Sequence, residues 1–157
     1  MSMANLEQAL QLIQDNEDQA DFVGPRDDRL IEAAEAALGL SFPPTFRRFL
    51  KERGCGSIAG AEFYGLINDN FTNSSVPNGI WLTLDERKTS KLPKTLILVS
   101  ETGNGGYYAI ERGRQDSQGE SPVIVWFPGL STVGGQVEQA AEDFGTFMFQ
   151  RLTQALQ

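Results

Sequence analysis

Apolar positions recur along this chain with two periods, and the change from one to the other divides it. Leu6, Leu10 and Ile13, with Ala9 beside them, fall at helical spacing and predict a first helix over residues 5–15. Phe22 and Val23 are placed to pin a connecting loop to the core, and Gly24-Pro25 breaks the chain. Asp27 or Asp28 is positioned to cap a second helix, whose buried stripe is Ile31, Ala34 and Leu38. Gly39 follows where a left-handed C-terminal cap is wanted. Pro43-Pro44 opens a third helix with Phe46, Phe49 and Leu50 on one face and Arg47, Arg48, Lys51 and Arg53 on the rest. Gly54-Cys55-Gly56 ends it, and Phe42 is set to staple onto Phe46 across its start.

From residue 61 the period shortens. Ala61 to Gly65 reads as a short strand, and residues 68–79 are a loop rich in Asn, Ser, Thr, Pro and Gly. Ile80 to Lys88 carries a mixed signal: Leu84 lies four residues after Ile80, which favours a helix, against a β-branched and aromatic content that favours a strand. We read it as a helix. Three apolar runs follow, at residues 96–100, 107–111 and 123–127, and predict three neighbouring antiparallel strands. The glycine-rich loop between the first two leads into a strand rather than a helix. Asn104-Gly105 is therefore assigned to a hairpin turn, not to phosphate binding. Alternation places Tyr107 and Tyr108 on opposite sides of the sheet, so at most one is core and the other is a contact residue. A polar loop covers residues 112–121. After a loop over residues 129–136, a final helix is expected from Val137 to Leu156, with the stripe Ala140, Phe144, Phe147, Met148 and Leu152 and a weak point at Gly145. The fold class expected is α+β: N-terminal helices, a central antiparallel sheet and a C-terminal helix, in one domain spanning residues 1–157.

Charge and composition narrow the chemistry. The longest apolar runs are about five residues, against roughly 20 for a bilayer span, and the N-terminus lacks the basic and apolar regions of a signal peptide. The expectation is a cytoplasmic protein with no membrane association. The single cysteine, Cys55, fits that compartment. The sequons at Asn70 and Asn73 are chance matches in such a setting. The net charge is −8, of which the first 28 residues, with seven acids against Arg26, hold −6. Nucleic acid is a poor partner for such a surface, because phosphate binding needs clustered Lys and Arg. An acidic face is suited instead to steering a basic protein. With no histidine in the chain, Ser-His-Asp and Cys-His catalysis are excluded, as is the commonest zinc ligand set. No metal or other cofactor is expected. Glu62, Asp69, Glu101 and Glu111 lie at or near strand ends, where carboxylates can converge for acid–base work or remain solvated.

The order of these motifs resembles a known family. Its first half here is Ile31-x-x-x-Glu35-x-x-Leu38-Gly39-Leu40, Phe42-Pro43, Phe46-x-x-Phe49-Leu50, Gly54 and then Ala61-Glu-Phe-Tyr-Gly65. The second is Leu92-Pro93, an apolar strand, Gly105-Gly-Tyr-Tyr-Ala-Ile110, Val123-x-x-Trp126 and Phe144-x-x-Phe147. Together, over about residues 27–152, these resemble the SUKH superfamily, which includes the yeast cell-wall assembly regulator and many bacterial immunity proteins. The acidic first helix lies outside the matched region, and the loop Arg112–Ser121 is a departure from the pattern. The resemblance implies the same α+β fold and a non-enzymatic protein that binds and neutralises a cognate polymorphic or contact-dependent bacterial toxin, often a nuclease, by occlusion. The alternatives are a regulatory scaffold with several partners, and a small ligand-binding protein or hydrolase using the strand-end carboxylates. For the toxin reading, the expected partner is a basic toxin protein. The expected contact residues are Asp69, Asp85, Glu86, Glu101, Tyr108 and Glu111, with the acidic N-terminal region as a rival patch.

Overall fold

The computed structural model describes residues 2–129 and 138–157. In chain order the elements are α1 (Ser2–Asp15), a 3-10 turn (Glu17–Gln19), β1 (Ala20–Phe22), α2 (Asp28–Leu38), α3 (Pro44–Glu52), β2 (Gly56–Ile58) and β3 (Ala61–Phe63). They continue with α4 (Gly79–Thr89), β4 (Leu96–Glu101), β5 (Tyr107–Glu111), β6 (Val123–Trp126), β7 (Gln139–Ala141) and α5 (Phe144–Ala155). The strands form two antiparallel sheets, β1-β2-β3 and β4-β5-β6-β7. The fold is α+β, with helices at the N-terminal end and α5 at the C-terminal end.

Local chemistry sets the helix boundaries. Asp27 accepts from the Leu30 amide at 2.8 Å and starts α2. Gly39, at φ 70, closes that helix in the left-handed conformation. The Phe42 and Phe46 rings meet edge to face, centroids 5.2 Å apart, across the start of α3. Asn78 accepts from the Trp81 amide to start α4, and Asp143 accepts from the Thr146 amide to start α5.

The four-stranded sheet is buried on both faces. Ile97, Val99, Ile110 and Val123 join the main core with α1, α3 and α5. Leu96, Leu98, Ala109, Ile124 and Trp126 form a second core with Tyr64 and with Leu82 of α4. The outer edge of β4 is closed rather than left open. Leu98 donates its amide to Thr83 Oγ1 of α4 at 3.1 Å, and Val99 O accepts from the Tyr64 amide at 2.8 Å. A bulge between Leu98 and Ser100 turns the Ser100 hydroxyl to donate to Glu62 O at 2.7 Å, which ties β3 to β4.

Four features differ from the sequence reading or extend it. First, β1 and β2 were not anticipated, because three residues are too few for a period to register. Second, the last helix begins at Phe144, not Val137. Gln139–Ala141 pairs with β6, and Asp143 caps the helix behind it. Ala140 fits a helical stripe and a short strand equally well, so periodicity did not separate them. Val137 and the loop up to it lie outside the described residues. Third, Gly145 is a close contact: a Cβ there would sit 2.3 Å from Ser2 O, so the missing side chain lets α1 lie against α5.

The fourth is the loop over residues 112–121, whose two ends are buried anchors. Arg112 donates to Ser41 O at 2.7 Å, Ser41 Oγ at 3.0 Å, Gly119 O at 2.8 Å and Ser121 Oγ at 2.9 Å. Glu120, 2% exposed, accepts from the Thr45 amide at 2.9 Å and the Thr45 hydroxyl at 2.7 Å. Thr45 is in the first turn of α3, whose cap residue Pro43 has no side-chain acceptor. Glu120 supplies that cap from 75 residues away and puts a carboxylate at the positive end of the helix.

Glu120→Ala is expected to destabilise the protein by about 2–3 kcal/mol in chemical denaturation, because it leaves two buried donors of Thr45 without an acceptor. Burial pushes the Glu120 carboxyl above its ordinary value, although the hydrogen bonds from Thr45 pull it down. The folded state therefore holds this proton more tightly than the unfolded chain. That contribution is full below the ordinary value of 4.5 and is lost as pH rises through the raised one. The stability of the wild type relative to Glu120→Gln, which cannot ionise, is expected to fall across that interval.

Candidate partner-binding site

Two consequences of the fold bring acids and aromatics together on the α4 side of the sheet. The β4–β5 register sets Glu101 opposite Tyr107, and the β5–β6 register sets Tyr107 opposite Trp126. The Tyr107 and Trp126 rings stack with centroids 6.4 Å apart at 21°. Helix α4 then runs along β4, and Trp81 packs with Tyr107 against the second core. Asp85 and Glu86, in its C-terminal half, lie near enough to Tyr107 to act on it electrostatically. Burial raises the Tyr107 phenol above its ordinary value, and the carboxylates of Glu86, Glu101 and Asp85 raise it further. Tyr64, buried in the same second core, is raised for the same reasons, first by burial and then by the carboxylates of Glu101 and Glu62.

Three of the six expected contact residues, Asp85, Glu86 and Glu101, therefore gather around one half-buried tyrosine. The other three lie elsewhere. Tyr108 faces the opposite side, 5.0 Å from Phe147 and beneath the Arg151 guanidinium at 5.2 Å. Glu111 is at the far end of β5, where its carboxylate accepts from the Gly113 amide at 2.7 Å and closes a turn. Asp69 is exposed on the 68–78 loop, whose Asn68 and Asn70 side chains accept backbone amides of that same loop. Tyr107, Trp81 and Tyr64 are not among the six expected contact residues. Alternation separated Tyr107 from Tyr108 but did not say which one faced the acids. The signal that decides it is the cross-strand pairing with Glu101, which follows once the hairpin is centred on Asn104-Gly105.

The four strand-end carboxylates do not converge as a set. Glu62 and Glu101 share the rim of a shallow cleft of about 180 Å³, lined also by Ser100, Thr102 and Arg151. Glu111 pairs with Leu96, at the opposite end of the β4–β5 ladder from Glu101 and Tyr107. Among the described residues no group of three or more His, Cys, Asp and Glu is arranged to hold a metal ion. Cys55 is buried, and burial pushes its thiol up to about 11, which suits a structural residue. The loop at Gly103 and Gly105 is the expected hairpin, with Thr102 Oγ1 accepting from the Gly106 amide at 3.1 Å.

Three of the seven acids of the N-terminal region are paired with basic side chains of α3 and the residue after it. Glu7 pairs with Arg48 at 3.5 Å, Glu17 with Arg53 at 2.7 Å and Asp28 with Lys51 at 3.3 Å, while Asp27 is used as a helix cap. Glu35 and Glu52 hold Arg47 and Arg48. The basic face of α3 thus takes up part of the N-terminal acidity. Such exposed pairs add little stability, of the order of 0–1 kcal/mol each, but they remove net field from that side.

The family model of the SMI1-KNR4 cell-wall family, within the SUKH superfamily, matches residues 28–148. The chain belongs to that family. No curated protein matches it. SUKH proteins are generally non-enzymatic immunity or regulatory proteins. The matched span contains α4, β4, β5 and β6, and with them every residue of the acidic and aromatic cluster. It leaves out α1, β1 and the second half of α5. Among the described residues no helix of this SUKH protein is long and apolar enough to cross a membrane.

Glu101→Gln is expected to lower the titration midpoints of Tyr64 and Tyr107 towards, but not to, the ordinary tyrosine value, since burial remains. Phenolate absorbance or tyrosine-labelled NMR reads this directly, and Glu111→Gln should leave both midpoints in place.

Proposed function

We propose that this SUKH protein is an immunity protein acting in the bacterial cytoplasm, and that it neutralises a cognate toxin by occluding it through the face built from Asp85, Glu86, Glu101, Tyr107 and Trp81. The observation that carries this reading is the convergence of three carboxylates on a half-buried tyrosine at the end of the sheet. Three of the N-terminal acids, by contrast, are paired with basic side chains of α3 and Arg53. Carboxylates on a rigid sheet–helix frame can stand in for phosphate groups or shield a basic active site. Tyr107 and Trp81 offer flat faces suited to Arg and Lys side chains. A toxin that acts on nucleic acid has the basic surface such a face fits.

The test uses the toxin encoded beside this gene. Co-expression is expected to rescue growth, and the purified pair to bind with an association rate that falls steeply with salt. The double variant Asp85→Lys/Glu101→Lys should weaken binding by at least about a hundredfold, as expected for reversed charges in a hot region. Asp18→Lys/Asp21→Lys, on the N-terminal side, should change it little. Binding without rescue, or capture of several unrelated partners, would favour a regulatory scaffold instead.

A further inference from the structure

Two Asn-Gly pairs occur in the chain, Asn78-Gly79 and Asn104-Gly105. In such a pair the glycine amide nitrogen has no side chain to shield it from the asparagine side-chain carbonyl next to it. The fold treats the two pairs in opposite ways. Asn78 is buried, and both ends of its side-chain amide are engaged. Its Oδ1 accepts from the Trp81 amide at 3.1 Å, and its Nδ2 donates to Asn70 O at 3.3 Å and to Ser74 Oγ at 3.2 Å. The Gly79 amide donates to Gly65 O at 2.8 Å, so the nitrogen is taken as well. Close packing explains this glycine: a Cβ on Gly79 would lie 3.0 Å from Leu98 O.

Asn104-Gly105 sits at the tip of the β4–β5 hairpin, where Gly103, Asn104 and Gly105 are all exposed. The loop is closed below them. The Thr102 amide donates to Gly106 O at 3.0 Å, and the Gly106 amide donates to Thr102 Oγ1 at 3.1 Å. Among the described residues nothing accepts from the Gly105 amide, and the space where a Gly105 Cβ would stand has no atom within 4 Å. The Thr102 hydroxyl donates to Asn104 Oδ1. That contact leaves Nδ2 facing solvent. It also puts a donor on the oxygen that gains negative charge when the carbonyl carbon is attacked.

We propose that Asn104 is a self-modification site, at which the side-chain amide is converted to aspartate and isoaspartate. The Gly105 nitrogen gives its proton to solvent and forms a bond to Asn104 Cγ, an attack favoured because both groups are held in one short segment. The Cγ–Nδ2 bond breaks, and ammonia leaves with a proton from solvent. Water then opens the resulting succinimide ring. Addition at one carbonyl gives aspartate in an unchanged backbone. Addition at the other gives isoaspartate, with the backbone running through the former side chain and one carbon longer. Either product replaces a neutral amide with a carboxylate and adds one negative charge to a chain of net charge −8. The new carboxylate stands on the hairpin that joins Glu101 to Tyr107, so the acidic face gains charge as the molecule ages. The consequence for a partner rests on the docking reading; the chemistry does not.

Peptide mass mapping of the purified full chain, incubated at neutral and at mildly alkaline pH, tests it. Trypsin separates the two sites, since Asn78 lies between Arg53 and Arg87 and Asn104 between Lys94 and Arg112. Fragmentation then locates the change within each peptide. Asn104 is expected to convert at least about tenfold faster than Asn78, which reacts only after local opening of its surroundings. The conversion should quicken as pH rises, because the Gly105 nitrogen must lose a proton. Native ion exchange should show a growing, more acidic form that Asn104→Ser does not produce. An intact Asn104 in the folded protein, under conditions where an isolated peptide of residues 95–112 deamidates, would overturn the proposal. So would equal rates at the two pairs.

Discussion

Phe46, Phe49, Phe63, Phe144 and Phe147 form one interlocked cluster, with neighbouring centroids 5.0–6.3 Å apart, mostly edge-on or tilted. Two come from α3, one from β3 and two from α5, so a single set of contacts joins the N-terminal helices, the small sheet and the last helix. Tyr108 extends it onto β5 through Phe147. Removing one fully buried ring of this size costs about 3–5 kcal/mol in a well-packed core, against a total stability of about 5–15 kcal/mol for a typical protein. The placement of α5 over one face of the four-stranded sheet follows from this cluster. That in turn leaves α4 and the β4–β5 hairpin to cover and edge the other face.

The two faces carry different chemistry. On the α5 side the contacts are mostly aromatic and aliphatic, with Arg151 over Tyr108. On the α4 side the packing is thinner, and Tyr107 and Trp81 stay partly exposed among carboxylates. Around α3, basic side chains pair with Glu7, Glu17, Asp28 and Glu52. Glu120 and Arg112 hold the α2–α3 corner against the loop after β5.

Much of this was legible in the residues. The caps at Asp27 and Gly39, the Phe42–Phe46 contact, α4 and the meander of β4, β5 and β6 all follow from periodicity and turn chemistry. What escaped the sequence reading was non-local. Glu120 looks like a solvated loop acid until Thr45 is beside it, and Gly145 looks like a helix defect until Ser2 is. The three-residue strands β1, β2 and β7 exist because of their partners, not because of their own sequence. At the candidate site, Asp85, Glu86 and Glu101 could be named from placement at helix and strand ends. The role of Tyr107 depended on strand register. Asp69 and Glu111 were named on the same grounds as the other acids and lie apart from them, since position near a strand end says nothing of which end.

Amide hydrogen exchange of the protein alone and bound to its cognate toxin tests most directly that the partner docks on the α4 face. The account predicts protection concentrated in the C-terminal half of α4 and in the hairpin between Glu101 and Tyr107, with α1 and residues 16–22 unchanged. Protection centred on the N-terminal region, with α4 and the hairpin unaffected, would contradict it.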